Sequence, residues 1–99
     1  MARGPVAWLV CYDITADNRR TAVYRTLRGY GDHIQYSVFR CVVSARQFAS
    51  MRAELEELID HKKDQVLLVP LGPPDEDRLK AWVALGLSVQ PLERTVVIL

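Results

Sequence analysis

The stretch "VAWLVCYDIT", residues Val6 to Thr15, decides how the rest of the chain is interpreted. Its almost continuous run of apolar, β-forming residues predicts a central strand that is covered on both faces. Because side chains alternate along a strand, Val10 and Tyr12 face one side, while Cys11 and Asp13 face the other. A carboxylate at the end of such a strand costs free energy unless it is paired or bound. Asp13 therefore either caps the following helix or belongs to a site.

The composition is that of a single small domain. The chain has 99 residues, of which 49% are hydrophobic and 25% are charged, which is typical of a soluble globular protein. Its net charge of +1 gives no overall attraction to nucleic acid, so any basic surface must be local. Cys11 and Cys41 lie in apolar runs without CxxC spacing, which indicates core residues in a reducing compartment. No segment approaches the ~18 apolar residues of a membrane helix, and we expect a cytoplasmic protein that does not bind membranes.

After the first strand, the sequence predicts further helices and strands along the chain. Residues 15–31 form a predicted helix that ends at glycines. Residues 33–43 are β-rich, and form either one long strand that bends near Tyr36 and Ser37 or a tight hairpin. A capping box of Ser44 and Gln47 predicts the start of a second helix. We expect three further elements: a strand over "QVLLVPLG", a short helix from Asp77 to Leu85 and a last strand at "RTVVIL".

This order predicts an α+β fold, a ferredoxin-like βαββαβ sandwich with both helices on one face of the sheet. The whole chain, 1–99, is one domain, and 72–99 is a C-terminal extension. The strands are apolar on both faces, but two helices cover only one of them. The other face would expose a larger apolar patch than monomers usually tolerate. We therefore predict a homodimer joined through this face, with the extension at the interface and "RTVVIL" adding a strand across the junction.

A homodimer offers Asp13 a partner. If the twofold axis passes near the end of the first strand, Asp13 and its symmetry mate come close together. Two carboxylates that share a partly dry site repel one another and form a hard-oxygen site for Mg²⁺ or Mn²⁺. The metal hypothesis thus depends on the dimer, because one carboxylate per chain is a poor metal site.

Basic residues follow Asp13 in the first turn of the predicted helix. Arg19 and Arg20 could form an ordinary solvated surface, yet helix N-terminal amides already favour anions there. Guanidinium groups in that place would suit a phosphodiester. His33 could act as a general base, although a lone surface histidine usually does not. The segment "EELIDHKKD" is most simply a solvated helix end of mixed charge.

Three stretches together resemble a known family. They are "CYDITADNRR", "YGDHIQYSVFRC" and "LIDHKKDQVLLVPLG", which resemble, in order and spacing, the signature blocks of the small CRISPR-associated Cas-two family. The resemblance runs from about Trp8 to Leu71. It implies a ferredoxin-like homodimer in which Asp13 from each chain binds Mg²⁺ at the dimer axis. It also implies a metal-dependent endonuclease that cleaves single-stranded RNA or double-stranded DNA.

Family members further act in spacer acquisition, where the dimer bridges the Cas-one integrase and helps to hold DNA. A non-catalytic structural DNA-binding adaptor of the integrase complex is the alternative function. An acylphosphatase would need phosphate-cradling glycines that are absent, and an RNA-recognition motif would need its aromatic block. A metallochaperone would need its CxxC motif.

The resemblance assigns roles to individual residues. The strand-end motif matches at Tyr12 and Asp13, and Arg20 matches a basic position of the turn. A third motif, "SVF", matches at Ser37 and Phe39. Three departures bear on nuclease activity more than on the fold: His33, Ala22 and Ala16 replace an arginine, a basic and an acidic residue of the family. The predicted catalytic residues are Asp13, Arg20 and Ser37, the metal ligand is Asp13, and the predicted phosphate- or substrate-binding residues are Tyr12, Arg19, Arg20 and Phe39.

Overall fold

The helices and strands follow the predicted order. The computed structural model describes residues 4–87 and the short strand at 97–98. In chain order the elements are β1 (Val6–Asp13), α1 (Asp17–Arg28), β2 (Gly31–Gln35), β3 (Val38–Val43), α2 (Ala45–Leu58), β4 (Gln65–Gly72), α3 (Glu76–Leu79), β5 (Val83–Ala84) and β6 (Val97–Ile98).

The main sheet is antiparallel, with strand order β2-β3-β1-β4. The strand that contains "VAWLVCYD" is therefore central, and it pairs with β3 on one side and with β4 on the other. Each long helix connects two parallel strands that are separated in the sheet by one antiparallel strand, α1 between β1 and β2 and α2 between β3 and β4. This is the arrangement of the predicted α+β ferredoxin-like sandwich, and the fold prediction is confirmed.

The β-rich segment 33–43 folds as the tight hairpin rather than as one bent strand. Gln35 pairs with Val38, so Tyr36 and Ser37 form a two-residue turn. Ser37 has φ of 67°, a conformation that most side chains avoid and that a tight turn of this kind imposes on its second residue. The Ser37 carbonyl accepts a hydrogen bond from the Tyr12 amide at 3.0 Å, which ties the hairpin tip to the end of β1.

The two long helices begin differently. Ser44 and Gln47 form the predicted capping box at the start of α2, with hydrogen bonds of 3.1 and 2.9 Å. By contrast, the N-cap of α1 is Ala16, which contributes no side-chain hydrogen bond. The interpretation of Asp13 as a helix cap is therefore wrong.

The helices pack against the inner face of the sheet, on the side of Val10 and Tyr12. Trp8 stacks on Phe48 of α2, with ring centroids 4.2 Å apart. The predicted core position of Cys41 is confirmed, whereas Cys11 is half-buried on the opposite face. The fully buried side chains are Val10, Val23, Leu27, Phe39, Cys41 and Met51.

Much of the outer face is left uncovered by residues 4–87. Leu67 is 49% exposed and Val69 is 42% exposed, although both belong to an apolar strand. The segment after β4 covers one margin, where Leu79 is buried against Ile34 and Trp82. The apolar face from which we predicted a dimer is therefore present. The dimer itself stays a prediction.

The C-terminal elements correct one prediction. The expected helix from Asp77 to Leu85 is a single turn, α3, whose N-cap Asp75 accepts hydrogen bonds from two backbone amides. The chain then extends into β5, because Val83–Ala84 pairs in parallel with Val97–Ile98. The predicted last strand thus pairs within its own chain, and its other residues, 94–96 and 99, lie outside the described residues. That it crosses a subunit junction stays a prediction.

None of the helices in the described ranges is long and apolar enough to cross a membrane.

Candidate functional site

Asp13 ends β1 on the outer face of the sheet, opposite Gln65 at the start of β4. Its side chain is exposed. Between residues 4 and 87 no hydrogen-bond or ion-pair partner engages its carboxylate. A free carboxylate at the edge of an apolar sheet face is available to a metal ion or to another subunit.

The donor set in one protomer fits a divalent metal only in part. No group of three or more His, Cys, Asp or Glu side chains lies close enough to hold a metal ion within the described part of the chain. The carboxylate oxygens of Asp13 are of the hard type that Mg²⁺ and Mn²⁺ prefer. A site built on Asp13 therefore needs the second carboxylate that a twofold axis would supply.

Arg19 has a structural partner. Its Nε and Nη2 donate to the two carboxylate oxygens of Asp64 at 2.7 and 3.2 Å, which is the two-pronged geometry that arginine favours. The Asp64 side chain is only 1% exposed, while that of Arg19 is 26% exposed. The pair joins the first turn of α1 to the residue immediately before β4.

Asp64 is held further by its own loop. Its carboxylate accepts a 2.8 Å hydrogen bond from the Asp60 amide. The hydrogen bond from Arg19, followed by that from the Asp60 amide, holds the pKa of the Asp64 carboxyl below its ordinary value. The interpretation of "EELIDHKKD" as a solvated helix end is therefore wrong for its last residue. The sequence offered one signal, an aspartate directly before a strand with another aspartate four residues earlier.

Arg20 keeps part of its donor capacity free. Its Nη1 donates to the carbonyls of Ile14 at 3.3 Å and Thr15 at 3.1 Å, and its Nη2 donates to the Asp17 carboxylate. A guanidinium has five N–H donors. The Nε–H and one Nη2–H have no partner among residues 4–87, so Arg20 can still bind an anion close to the end of β1.

Arg20 and Tyr12, two of the predicted residues, share a cavity of about 260 Å³. Burial, together with the nearby hydroxyl groups of Tyr36 and Tyr24, raises the pKa of Tyr12 above its ordinary value. The shift moves this pKa further from neutral pH, where a tyrosine hydroxyl is in any case protonated and can donate a hydrogen bond. The lining residues are Tyr12, Arg20, Thr21, Tyr24, His33 and Tyr36.

Ser37 and Phe39 differ in accessibility. Ser37 lies at the hairpin tip beside Tyr12 and is half-exposed, so its predicted catalytic role stays a prediction. Phe39 is fully buried on the inner face. Its ring centroid lies 5.6 Å from that of Tyr24 and 4.9 Å from that of His33. A ring without accessible surface cannot contact a base or a sugar. Phe39 is therefore a core residue, and its predicted contact with substrate is corrected.

The structure thus gathers Tyr12, Arg20 and the Ser37 turn around the end of β1. Asp13 follows Tyr12 but lies on the other face. Sequence reasoning missed Tyr24 and Tyr36 as cavity residues, because both read as ordinary aromatics of a helix and a turn.

Comparisons with known proteins agree with this architecture. Residues 6–78 match the family model described as CRISPR associated protein Cas2. A CRISPR-associated endoribonuclease Cas2 of Rhodospirillum rubrum is 39% identical over 93 residues, which cover 94% of this chain and 90% of that protein. One of Geobacter sulfurreducens is 32% identical over 91 residues, which cover 92% of this chain and 95% of that protein.

Solved structures give the same result. The crystal structure of Streptococcus pyogenes Cas2 superposes with a TM-score of 0.63 at 31% identity, covering 67% of this chain and 86% of that one. The family model spans well over half of the sequence and includes the strand end at Asp13 and the hairpin. This chain belongs to the CRISPR-associated protein Cas2 family.

Proposed function

We propose that the protein is a homodimeric, Mg²⁺- or Mn²⁺-dependent endonuclease that cleaves phosphodiester bonds of RNA or DNA in the cytoplasm. The observation that carries the proposal is the exposed carboxylate of Asp13, which lacks a partner within residues 4–87 and ends the central strand beside an apolar outer face. The relatives from R. rubrum and G. sulfurreducens are named endoribonucleases, which supports a nuclease function here.

The outer face supports the dimer that this site requires. Leu67 and Val69 remain substantially exposed beside the half-buried Leu9 and Cys11. Their burial against a second copy would remove apolar surface from water at about 25 cal/mol per Å². The same association would bring a second Asp13 to the site.

Each residue near the strand end has a separate task in this proposal. Asp13 and its symmetry mate hold the metal, which when bound polarises a scissile phosphodiester as a Lewis acid. Arg20 uses its remaining donors to bind a phosphate oxygen. Ser37 presents its hydroxyl at the hairpin tip, where it can donate to the same backbone. Because Arg19 is already engaged by Asp64, we leave it out of the phosphate-binding set.

The test is cleavage of labelled single-stranded RNA and double-stranded DNA by wild type and Asp13→Asn, with Mg²⁺, with Mn²⁺ and with EDTA. We expect Asp13→Asn and EDTA each to reduce cleavage by at least about a hundredfold, while the dimer persists. Glu57→Gln is the matched control, because it removes an exposed carboxylate on α2, on the opposite side of the sheet. Unchanged cleavage by Asp13→Asn from nuclease-free preparations would refute the catalytic role.

A second function belongs to a different class. We propose it on the same arginine-bearing strand end: a structural adaptor that grips a DNA backbone and bridges the Cas-one integrase during spacer acquisition. Backbone contacts give binding that is independent of sequence and weakens with salt. The free donors of Arg20 support it, since they can bind a phosphate without any cleavage.

Spacer integration by Asp13→Asn separates the two functions. A pure adaptor would support integration in this variant at the wild-type rate, and would bind DNA equally well with EDTA. Loss of integration in Asp13→Asn, with the dimer and DNA binding intact, would contradict the pure adaptor and favour the nuclease.

A further inference from the structure

We propose that the cavity beside the end of β1 binds one unpaired nucleobase together with its adjoining phosphate. This inference rests on the proposed function to the extent that nucleic acid is the ligand. It adds a site for unpaired nucleotides on the face of the sheet opposite Asp13. This site shares Arg20 with the proposed phosphate contact, whereas its aromatic walls have no part in the proposed cleavage or adaptor binding.

The walls of the cavity are aromatic. Tyr24 and His33 meet edge to face, with centroids 5.2 Å apart and planes at 89°, so that they form a corner. Tyr36 projects from the hairpin tip at the same cavity and is 73% exposed. The two-residue turn fixes the backbone that carries this ring, and the exposure of the ring leaves it accessible to a ligand. Exposed rings of this kind serve as stacking platforms for single-stranded bases.

The cavity is also rich in hydrogen-bond donors. Arg20 contributes its free N–H groups, and Tyr12 contributes its phenol hydroxyl. The Tyr24 oxygen accepts from Arg28 at 3.2 Å, so its own proton remains available to a ligand. Acidic side chains are absent from the lining residues. Donors without carboxylates suit an anionic phosphate group.

The size of the cavity selects against a duplex. The cavity volume of about 260 Å³ is just below the roughly 300–1,000 Å³ of small-molecule sites. A cavity of this volume has room for a single nucleotide. A base that is stacked and paired inside a duplex cannot enter. The site therefore selects strand ends, overhangs or single strands.

The test compares two probes with the intact protein in EDTA. One is a duplex with a single-stranded 3′ overhang that carries 2-aminopurine, whose fluorescence falls when it stacks on an aromatic ring. The other is a blunt duplex with 2-aminopurine in a base pair. We expect quenching and tighter binding with the overhang only. Tyr36→Ala should weaken overhang binding by about tenfold and abolish the quenching, while Tyr36→Phe keeps both.

Arg25→Ala is the matched charge control, because Arg25 is an exposed residue of α1 outside the cavity. It should weaken binding to both probes by the same factor. Equal binding of the two probes by wild type, or an unchanged Tyr36→Ala variant, would overturn this inference alone. If neither probe binds at all, this inference and the DNA-binding adaptor both fail, whereas a failure of the metal-dependent nuclease appears only in the cleavage assay. The Asp13→Asn variant should bind the overhang like wild type, so lost cleavage does not affect this test.

Discussion

The two faces of the central sheet are built from alternate residues of the same strands, yet their side chains differ in solvent exposure. On the inner face Val10 and Phe39 are fully buried under two helices. On the outer face Leu67 and Val69 keep almost half of their surface exposed. The described residues thus cover one face and leave much of the other apolar and open. A strand that is apolar on both sides does not require two layers from one chain, because a second copy can supply the other layer.

The comparison predicts first that the two faces differ in their contribution to the stability of a protomer. Phe39→Ala should lower the free energy of unfolding by about 3–5 kcal/mol, because it leaves a cavity in a closed core. At a protomer concentration too low for the proposed dimer to form, Leu67→Ala should cost about 1 kcal/mol or less, since a half-exposed side chain loses little burial. Urea unfolding followed by circular dichroism at equal protomer concentration measures both. Similar losses would mean that the outer face is as closed as the inner one.

The second prediction concerns association. Replacement of Leu67 and Val69 together by lysine should weaken the proposed dimer by at least about a hundredfold, because each chain would have to bury two charges. Light scattering should then report 11.3 kDa, the mass of one chain, instead of twice that mass. Glu57→Lys on α2 should leave the dimer intact. A double variant that stays dimeric would show that the outer face is not the interface.

The third prediction contrasts two neighbouring arginines. Arg19→Ala should lower Tm by about 5 °C or more, because it leaves the buried Asp64 carboxylate without its partner. Arg20→Ala removes contacts to an exposed turn and should change Tm little, while it weakens nucleic-acid binding. Differential scanning calorimetry and a binding titration on both variants give the answer. The reverse pattern would place the phosphate contact at Arg19.

The fourth prediction is a dependence of stability on pH that the same ion pair causes. Because hydrogen bonds from Arg19 and the Asp60 amide lower the pKa of Asp64 in the folded state, its stabilisation is fully present above the ordinary value of 3.8. The stabilisation disappears as the pH falls through the lower folded value. Asp64→Asn should therefore be less stable than wild type at pH 6, and the difference should shrink towards pH 2. A constant difference would exclude this linkage.

The smallest predicted effect is a difference in thiol reactivity between the two faces, each of which carries one cysteine. Cys41 is fully buried on the inner face, and burial raises its pKa to about 11, so it should resist a thiol reagent in the native protein. Cys11 lies half-buried on the outer face. It should react slowly in the dimer and faster in the Leu67, Val69 double lysine variant. Equal rates in both proteins would argue against burial of Cys11 by a partner.

Much of the fold was predictable because periodicity and capping are local properties. The alternation along Val6–Asp13 correctly separated the two faces, and Ser44 with Gln47 correctly marked the start of α2. The predicted extent of the C-terminal helix was wrong, because the helix ends before β5, and β5 pairs with β6, a segment that is distant in sequence. Local pattern carries no information on such a partner.

The site was less predictable for the same reason. The position of Asp13 follows from the end of its strand, but the partner of Arg19 lies 45 residues further along the chain. The sequence of the first helix does not indicate that Arg19 forms an ion pair while Arg20 keeps some of its N–H donors free. Phe39 was assigned to substrate by resemblance, although in the structure it pairs with Val10 and is fully buried on the inner face.

The hydrogen bond from the Tyr12 amide to the Ser37 carbonyl makes the hairpin tip and the strand end one mechanical unit. A ligand that packs against Tyr36 on the turn therefore acts on the backbone that carries Asp13, although Asp13 lies on the opposite face of the sheet. Hydrogen exchange at the single amide of Tyr12 would therefore measure whether the proposed ligand at the turn and the proposed metal at Asp13 affect one another.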